Sequence, residues 1–325
     1  NGTLVYSSGI VGAVIGGLNA QRLAVVDLEG NEEVLVLSER HFGDLKWSPD
    51  GRSIVYESIP EGESDAHIYT YDVELGATPR QLTFEGSNIS PVYSPDGTRV
   101  IFSSLRDGTD AGDLFVKRLN DDTPAELLIT LPGYQRPTQW PSETLVVFVT
   151  GPPPDDLWML DLSNPDSPRA EAYLEQEAHI YDIVVSPDGT LASYLSNETG
   201  APDVYVRSFP EPGERTRVSE GGADSPVWSP DGTTLYYWNL FVGNPAALVA
   251  ARLRLQPSPV VLSRDTLFAG RSYYRPASDL HPDGNRMIVG HLDPSGGLAG
   301  DSDSEPERFI VVTNWFEELR ERMGN

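Results

Sequence analysis

Four serines stand in one repeated setting: Ser48-Pro49-Asp50-Gly51, Ser94-Pro95-Asp96-Gly97, Ser186-Pro187-Asp188-Gly189 and Ser229-Pro230-Asp231-Gly232. His281-Pro282-Asp283-Gly284 is a fifth copy with one residue changed. A serine near an acid is the raw material of a nucleophile, but acyl-transfer chemistry needs a base in reach and an exposed elbow such as Gly-x-Ser-x-Gly. That motif is absent, and each of these serines sits beside a proline. The tetrapeptide reads instead as a tight turn. The serine side chain can bond the backbone two residues on, proline presets φ, aspartate tolerates the third position, and glycine takes the left-handed fourth. Ser48, Ser94, Ser186 and Ser229 are therefore turn formers, and Asp50, Asp96, Asp188 and Asp231 are structural.

The other reactive residue types form no constellation. Nothing singles out a carboxylate pair for glycoside hydrolysis among the 49 acids. His41, His67, His179, His281 and His291 show no zinc-type spacing, and with no cysteine there is no thiolate, disulfide or thiolate-held zinc. Asp301-Ser302-Asp303-Ser304-Glu305 opens like a calcium loop but lacks the sixth-position glycine and twelfth-position glutamate of an EF-hand. No catalytic residue, cofactor or metal is expected. The residues that stand out for recognition are Tyr134-Gln135-Arg136 and Tyr273-Tyr274-Arg275, placed in loops leading into strands at the centre of the fold. Tyr and Arg are favoured interface anchors. Tyr134, Arg136, Tyr273, Tyr274 and Arg275 are thus the expected partner-binding residues.

Composition narrows the partners. Lys and Arg total 23 against 49 acids, a net charge of −26. That disfavours nucleic acid and anionic lipid surfaces and leaves proteins. Hydrophobic residues make up 39% of the chain, enough for a folded core. No apolar run approaches the ~18 residues of a membrane span. Nothing in the sequence points to self-association. The first residue is Asn rather than Met, which reads as a processed form or part of something longer.

The repeated turns also organise the chain. The first four follow a short apolar run, and all five precede a β-rich run. The residues before them are 47, 93, 185, 228 and 280. The step from 93 to 185 is 92, twice 46, so an eroded copy is expected near 139. Trp140-Pro141-Ser142-Glu143 lies there, followed by the β-run 145–150. Several strands per period of ~40–50 residues describe an all-β propeller of four-stranded blades. Trp47, Tyr93, Trp140 and Trp228 occupy or adjoin the position before each turn and should pack between blades. Seven units of ~46 residues would total about 322, close to the 325 present. Seven blades are therefore expected. The alternative is six, with N-terminal strands completing the last blade. Either way the termini should meet and close the ring. Residues 3–7, 22–27 and 33–37 read as the first strands, and 308–313 as the last. Residues 293–306 form a long polar loop. Residues 314–323 read as a short C-terminal helix, with Trp315, Phe316, Leu319 and Met323 on one face and Asn314 as its cap. The chain is one domain, 1–325.

A Trp-Ser-Pro-Asp-Gly turn, a β-run, a Ser-rich loop and an Asp-aliphatic-Tyr-Val strand together resemble the TolB-type propeller repeat of bacteria. The match is tightest where Ser193-Tyr194-Leu195-Ser196-Asn197-Glu198-Thr199-Gly200 leads to Asp203-Val204-Tyr205-Val206-Arg207-Ser208-Phe209-Pro210 and then Gly221-Gly222. With the ending Val311-Val312-Thr313-Asn314-Trp315-Phe316-Glu317-Glu318-Leu319, the chain is similar to the C-terminal propellers of bacterial membrane-anchored Ser/Thr kinases. The resemblance implies a non-catalytic module that binds other proteins. It would be a sensor or an accessory subunit of a membrane assembly, in the periplasm or otherwise outside the cytoplasm. The runner-up is a hydrolase acting on glycan or peptide in the axial pocket.

Overall fold

In the computed structural model, every Ser-Pro-Asp-Gly copy closes a hairpin. The structure describes residues 22–291 apart from 36–41, 61, 107–111, 152–154, 176–177, 240–246, 257 and 270–272. In the first copy Gly51 N–H donates to the Ser48 carbonyl (2.9 Å), and Ser48 N–H donates to the Ser53 carbonyl (2.8 Å). The side chains divide the work differently from the expectation. Asp50, not Ser48, takes the backbone N–H two residues on, that of Arg52 (3.1 Å). Ser48 Oγ donates to Asp50 Oδ1 (2.6 Å) and accepts the N–H of Ser53 (3.0 Å). Gly51 sits at φ 71°, a region that costs a residue with a Cβ. The serines and aspartates of this motif are fully employed by the turn itself.

The ring opens with β1 (Arg22–Asp27) and β2 (Glu32–Val34). Blade 1 is β3 (Phe42–Trp47), β4 (Ser53–Ser58), β5 (His67–Asp72) and β6 (Arg80–Gln81). Blade 2 is β7 (Asn88–Tyr93), β8 (Arg99–Ser104), β9 (Asp113–Arg118) and β10 (Glu126–Ile129). Blade 3 is β11 (Gln135–Ser142), β12 (Leu145–Thr150), β13 (Asp156–Asp161) and β14 (Arg169–Leu174). Blade 4 is β15 (Ile180–Val185), β16 (Leu191–Ser196), β17 (Asp203–Ser208) and β18 (Thr216–Arg217). Blade 5 is β19 (Ala223–Trp228), β20 (Thr234–Asn239), β21 (Ala247–Arg254) and β22 (Val260–Ala269). β23 (Tyr273–Leu280) and β24 (Arg286–His291) begin blade 6, which β1 and β2 complete in the order β23-β24-β1-β2.

The described residues therefore form six blades, not seven. Dividing chain length by the period assigned every residue to a blade, whereas the six blades of the described residues lie within 22–291. The early strands are no separate unit. β1 pairs antiparallel with β24 along its whole length, from Arg22 opposite His291 to Asp27 opposite Arg286. This pairing closes the ring and removes an exposed edge, as expected. No helix occurs among the described residues. The expected helix at 314–323, the loop 293–306 and the strands 3–7 and 308–313 lie outside them. The eroded copy in blade 3 makes its hairpin without the motif, with Ser142 opposite Leu145.

There is no single core. Each buried apolar cluster lies in the seam between two neighbouring blades. Trp47 packs with Leu23, Val25 and Ile288 of blade 6; Tyr93 with Val55 and Ile68 of blade 1; Trp140 with Ile101 of blade 2; Trp228 with Leu191 and Val206 of blade 4. The aromatic residues before the turns thus do pack between blades. Fully burying one such side chain is worth ~1.5–3 kcal/mol, against ~1 kcal/mol net for a hydrogen bond, so these seams hold the ring together. One seam carries an extra device. His281, standing where the other turns have serine, points Nε2 at the Gly51 carbonyl (3.0 Å) and meets Trp47 edge-on at 4.7 Å between ring centroids. It joins blade 6 to blade 1.

Candidate functional site

Antiparallel pairing within each blade sorts the loops onto two faces. The Ser-Pro-Asp-Gly turns lie on one. The starts of the innermost strands, with the connections from blade to blade, lie on the other, where the central channel opens. All six inner strands break register near that opening: between Phe42 and Leu45, Ile89 and Val92, Pro137 and Gln139, Ile180 and Ile183, Asp224 and Val227, Tyr274 and Ser278. A bulge re-aims side chains. Asp44, Ser90, Arg136 and Asp182 sit in or beside these breaks on blades 1 to 4, and Asp224 and Ser225 on blade 5.

Polar side chains here reach from blade to blade. Ser90 Oγ donates to Asp44 Oδ2 (2.7 Å), and Ser90 N–H donates to Glu57 Oε2 (2.6 Å). Glu57 comes from β4 and reaches the channel across Gly43, where any Cβ would collide with its carboxyl group. Arg136 donates from Nη2 to the carbonyl of Tyr181. Gln139 accepts the N–H of Val185 (2.6 Å) and donates to its carbonyl (3.4 Å). Asp279 accepts the N–H of Trp47 (2.9 Å) and lies 3.8 Å from Lys46 Nζ. Ser90 and Ser225 are the described non-glycine residues with positive φ, 54° and 49°. They belong to blades 2 and 5, opposite each other across the ring. Such a conformation costs ~1–3 kcal/mol unless its surroundings hold it.

The mouth collects four acids, Asp44, Glu57, Asp182 and Asp224, beside the cation Arg136, while Lys46 and Asp279 lie further along the axis, near the turn ends of β3 and β23. Burial pushes the Glu57 carboxyl up to about 8, and the Asp44 charge adds to the rise. Burial likewise lifts Asp182 to about 6, resisted by Arg136 and Lys46. Asp279 is raised by burial against the pull of Lys46. For Lys46 burial is the largest single influence and acts downward, but Asp279, Asp182 and Asp44 together leave it raised. Arg136 follows the same logic, with Asp44 and Asp182 outweighing burial. Perturbed groups gathered at one opening mark a functional site. Among the described residues, no three His, Asp or Glu are placed to hold a metal ion. The arrangement is a cluster of mixed but mainly negative charge, suited to receiving polar or cationic groups.

Of the expected anchors, Arg136 lies at this mouth in β11. Tyr134 immediately precedes β11, and its hydroxyl donates to the buried Asp155. Tyr273, Tyr274 and Arg275 lie not in a loop but in the first half of β23, with Tyr273 opposite His291 and Tyr274 opposite Gly290. The two groups sit at the same end of blades 3 and 6, facing each other across the ring. Asp44, Glu57, Asp182 and Asp224 were missed as site residues. A signal existed for two of them, because Asp44, Ser90, Arg136 and Asp182 follow one another at intervals of 46. A cleft of about 600 Å³ opens elsewhere, on the turn face between blades 1 and 2, lined by Asp50, Asp72, Arg80, Tyr93 and Asp96 among others. Its polar groups are spent on neighbours: Asp50 and Asp96 on their turns, Asp72 on the N–H of Leu75, Arg80 on the Leu119 carbonyl and Tyr93 on Thr70. The axial mouth is the better candidate.

No family model matches the chain. It is 26% identical over 219 residues to the Tol-Pal system protein TolB of Francisella tularensis, covering 66% of this chain and 50% of that one. The chain thus spans about half the length of the curated relatives it matches. Among solved structures it is similar to the putative TolB from Agrobacterium tumefaciens, with a TM-score of 0.68 at 16% identity, covering 86% of this chain and all of that one. It is also similar to an oligogalacturonate lyase from Vibrio parahaemolyticus, with a TM-score of 0.56 at 14% identity, covering 85% of this chain and 79% of that one. The chain has a TolB-like β-propeller fold, with six four-stranded blades among the described residues.

Proposed function

We propose that this propeller is a non-catalytic docking module that receives another protein at the axial mouth. The observation that carries the reading is the ring of charged side chains that separate blades deliver to one opening. Phe84 adds an apolar contact on the same face. It follows β6 in the connection to blade 2 and is 73% exposed. A partner that offers lysine or arginine to the mouth complements both its acids and the overall charge of −26. Tyr134, Arg136, Tyr273, Tyr274 and Arg275 belong to this docking end. The likeness to a Tol-Pal system protein supports a place outside the cytoplasm, beside a membrane-bound assembly. The closing residues 311–319 support the sensor version of that role, as the propeller of a membrane-anchored kinase. The repeated serines are employed as turn formers, which disfavours a serine-nucleophile hydrolase.

The test is capture from a cell-envelope extract with purified chain, wild type against Asp182→Arg, with the captured proteins identified and quantified. Circular dichroism confirms that the variant folds. Stoichiometric partners that the wild type holds and the variant loses are expected. Equal capture by both would remove the mouth from the docking surface.

A further inference from the structure

Two carboxylates of blade 1 converge on one residue of blade 2. Asp44 takes the hydroxyl of Ser90 and Glu57 takes its N–H. Both carboxylates are thus drawn to the backbone and side chain of one residue, and the Asp44 charge acts on Glu57. Ser90 is one of the two left-handed serines, and it precedes Pro91, which narrows its backbone choice further. Its φ of 54° is held by this double grip and not by the residue type. Two like charges that close resist joint ionisation, and one proton between them removes the conflict.

We propose that Glu57 and Asp44 form a proton-operated clasp on Ser90: with Glu57 protonated, both carboxyl groups grip it and fix the kink of β7 at the channel mouth, and with Glu57 ionised beside Asp44, one is driven off and the mouth relaxes. The charged surroundings favour this reading. From β3, Glu57 faces Asp44. From β7 it meets Ser90, which carries no charge. From β5 it is opposed by Ile68. Across the channel the cation that acts on it is Arg136, a weaker influence than Asp44. Burial and the Asp44 charge together hold the proton on Glu57 through neutral pH. Gly43 is what lets the Glu57 carboxyl lie there.

Blade 5 supplies an internal reference. Ser225 has the same kind of kink, but its N–H and hydroxyl both go to a single carboxylate oxygen, Asp224 Oδ1 (2.8 and 3.3 Å). Its kink lies across the ring from the one that Glu57 and Asp44 grip. The clasp is independent of what docks at the mouth, so its test needs no partner.

The experiment follows the serine amide and glutamate carboxyl resonances of the whole chain, labelled with 15N-serine and 13C-glutamate, between pH 5 and 10. Ser90→Ala and Glu57→Gln assign the two signals. The Ser90 amide is expected to move in step with the Glu57 carboxyl, with a midpoint near 8, while Ser225 does not follow that midpoint. In Glu57→Gln, whose amide oxygen still accepts from Ser90, the Ser90 signal should stay at its low-pH position throughout. The clasp is overturned if Glu57 titrates in the ordinary carboxylate range, or if Ser90 stays still while Glu57 titrates. If Glu57→Gln does not fold, the wild-type titration decides alone, because Ser90 and Ser225 are compared within one sample.

Discussion

Substituting alanine for Gly51 and, separately, for Gly232 distinguishes turn strain from the seam that closes the ring. Both glycines occupy the same place in the same turn, at φ 71° and 70°. A left-handed conformation costs a residue with a Cβ ~1–2 kcal/mol, so both variants lose that much. Their surroundings differ. A Cβ on Gly232 meets nothing nearer than Pro187 Cδ at 3.6 Å, ordinary contact. A Cβ on Gly51 would lie 2.6 Å from His281 Cε1 and closer still to Nε2. His281 must then leave, giving up its bond to the Gly51 carbonyl, worth ~1 kcal/mol, and its edge contact with Trp47, worth ~0.5–1.5 kcal/mol. The expected losses are ~1–2 kcal/mol for Gly232→Ala and about 3–4 kcal/mol for Gly51→Ala. Urea unfolding followed by tryptophan fluorescence measures both. The decisive variant is His281→Ser, which installs the residue found in the other turns. In that background Gly51→Ala should cost no more than Gly232→Ala. Equal costs for the two glycines in the wild-type background, or an unchanged penalty in His281→Ser, would falsify the assignment of His281 as the ring-closing contact.

Further outcomes follow from the same contacts. Ser94→Ala strips Asp96 of its hydroxyl donor and leaves the N–H of Arg99 without its acceptor in a buried turn. An unsatisfied buried donor costs ~1–3 kcal/mol, and a loss under ~0.5 kcal/mol in urea would contradict the turn reading. Hydrogen bonding to Ser94 and to backbone N–H holds Asp96 down at about 2, below its ordinary value. This contribution is present above ~4 and lost as pH falls toward 2, so the wild type should lose more stability than Ser94→Ala on acidification. Glu57 has the opposite sign. Raised to about 8, it contributes stability that is complete below ~4.5 and lost as pH rises through 8. Unfolding midpoints at pH 5 and 9 should therefore converge in Glu57→Gln, and an unchanged gap would assign the pH dependence elsewhere. Gln139→Ala removes the acceptor of the Val185 N–H between blades 3 and 4. A cost of ~1–3 kcal/mol is expected in the same assay, and Gln139→Glu, which keeps an acceptor, should recover part of it.

Much of the architecture was legible because its signals are local. Proline, aspartate and glycine in a fixed order make a turn wherever they stand. The β-runs around each turn pair with their sequence neighbours, so blade boundaries and seam aromatics such as Trp47 and Trp228 could be read in advance. The blade count could not. Arg22–Asp27 looks like any other strand, and its partner, Arg286–His291, lies at the far end of the described chain. The site was half legible for a related reason. Arg136 stands out by its residue type beside Tyr134, but Asp182 and Asp224 are unremarkable among 49 acids until the ring brings them to one opening.

The sequence by itself determined that this chain is a repeat of four-stranded blades joined by Ser-Pro-Asp-Gly turns, with those serines and aspartates consumed by the turns. Turn chemistry and the alternation of apolar residues act over a few residues, within reach of sequence reading. Only the tertiary structure decided that there are six blades, that β1 closes the ring on β24, and that Asp44, Glu57 and Ser90 meet at the channel. Closure and convergence depend on how many blades, each turned relative to the last, complete a circle. That angle is set by packing in the seams between blades and is carried by no single stretch of sequence.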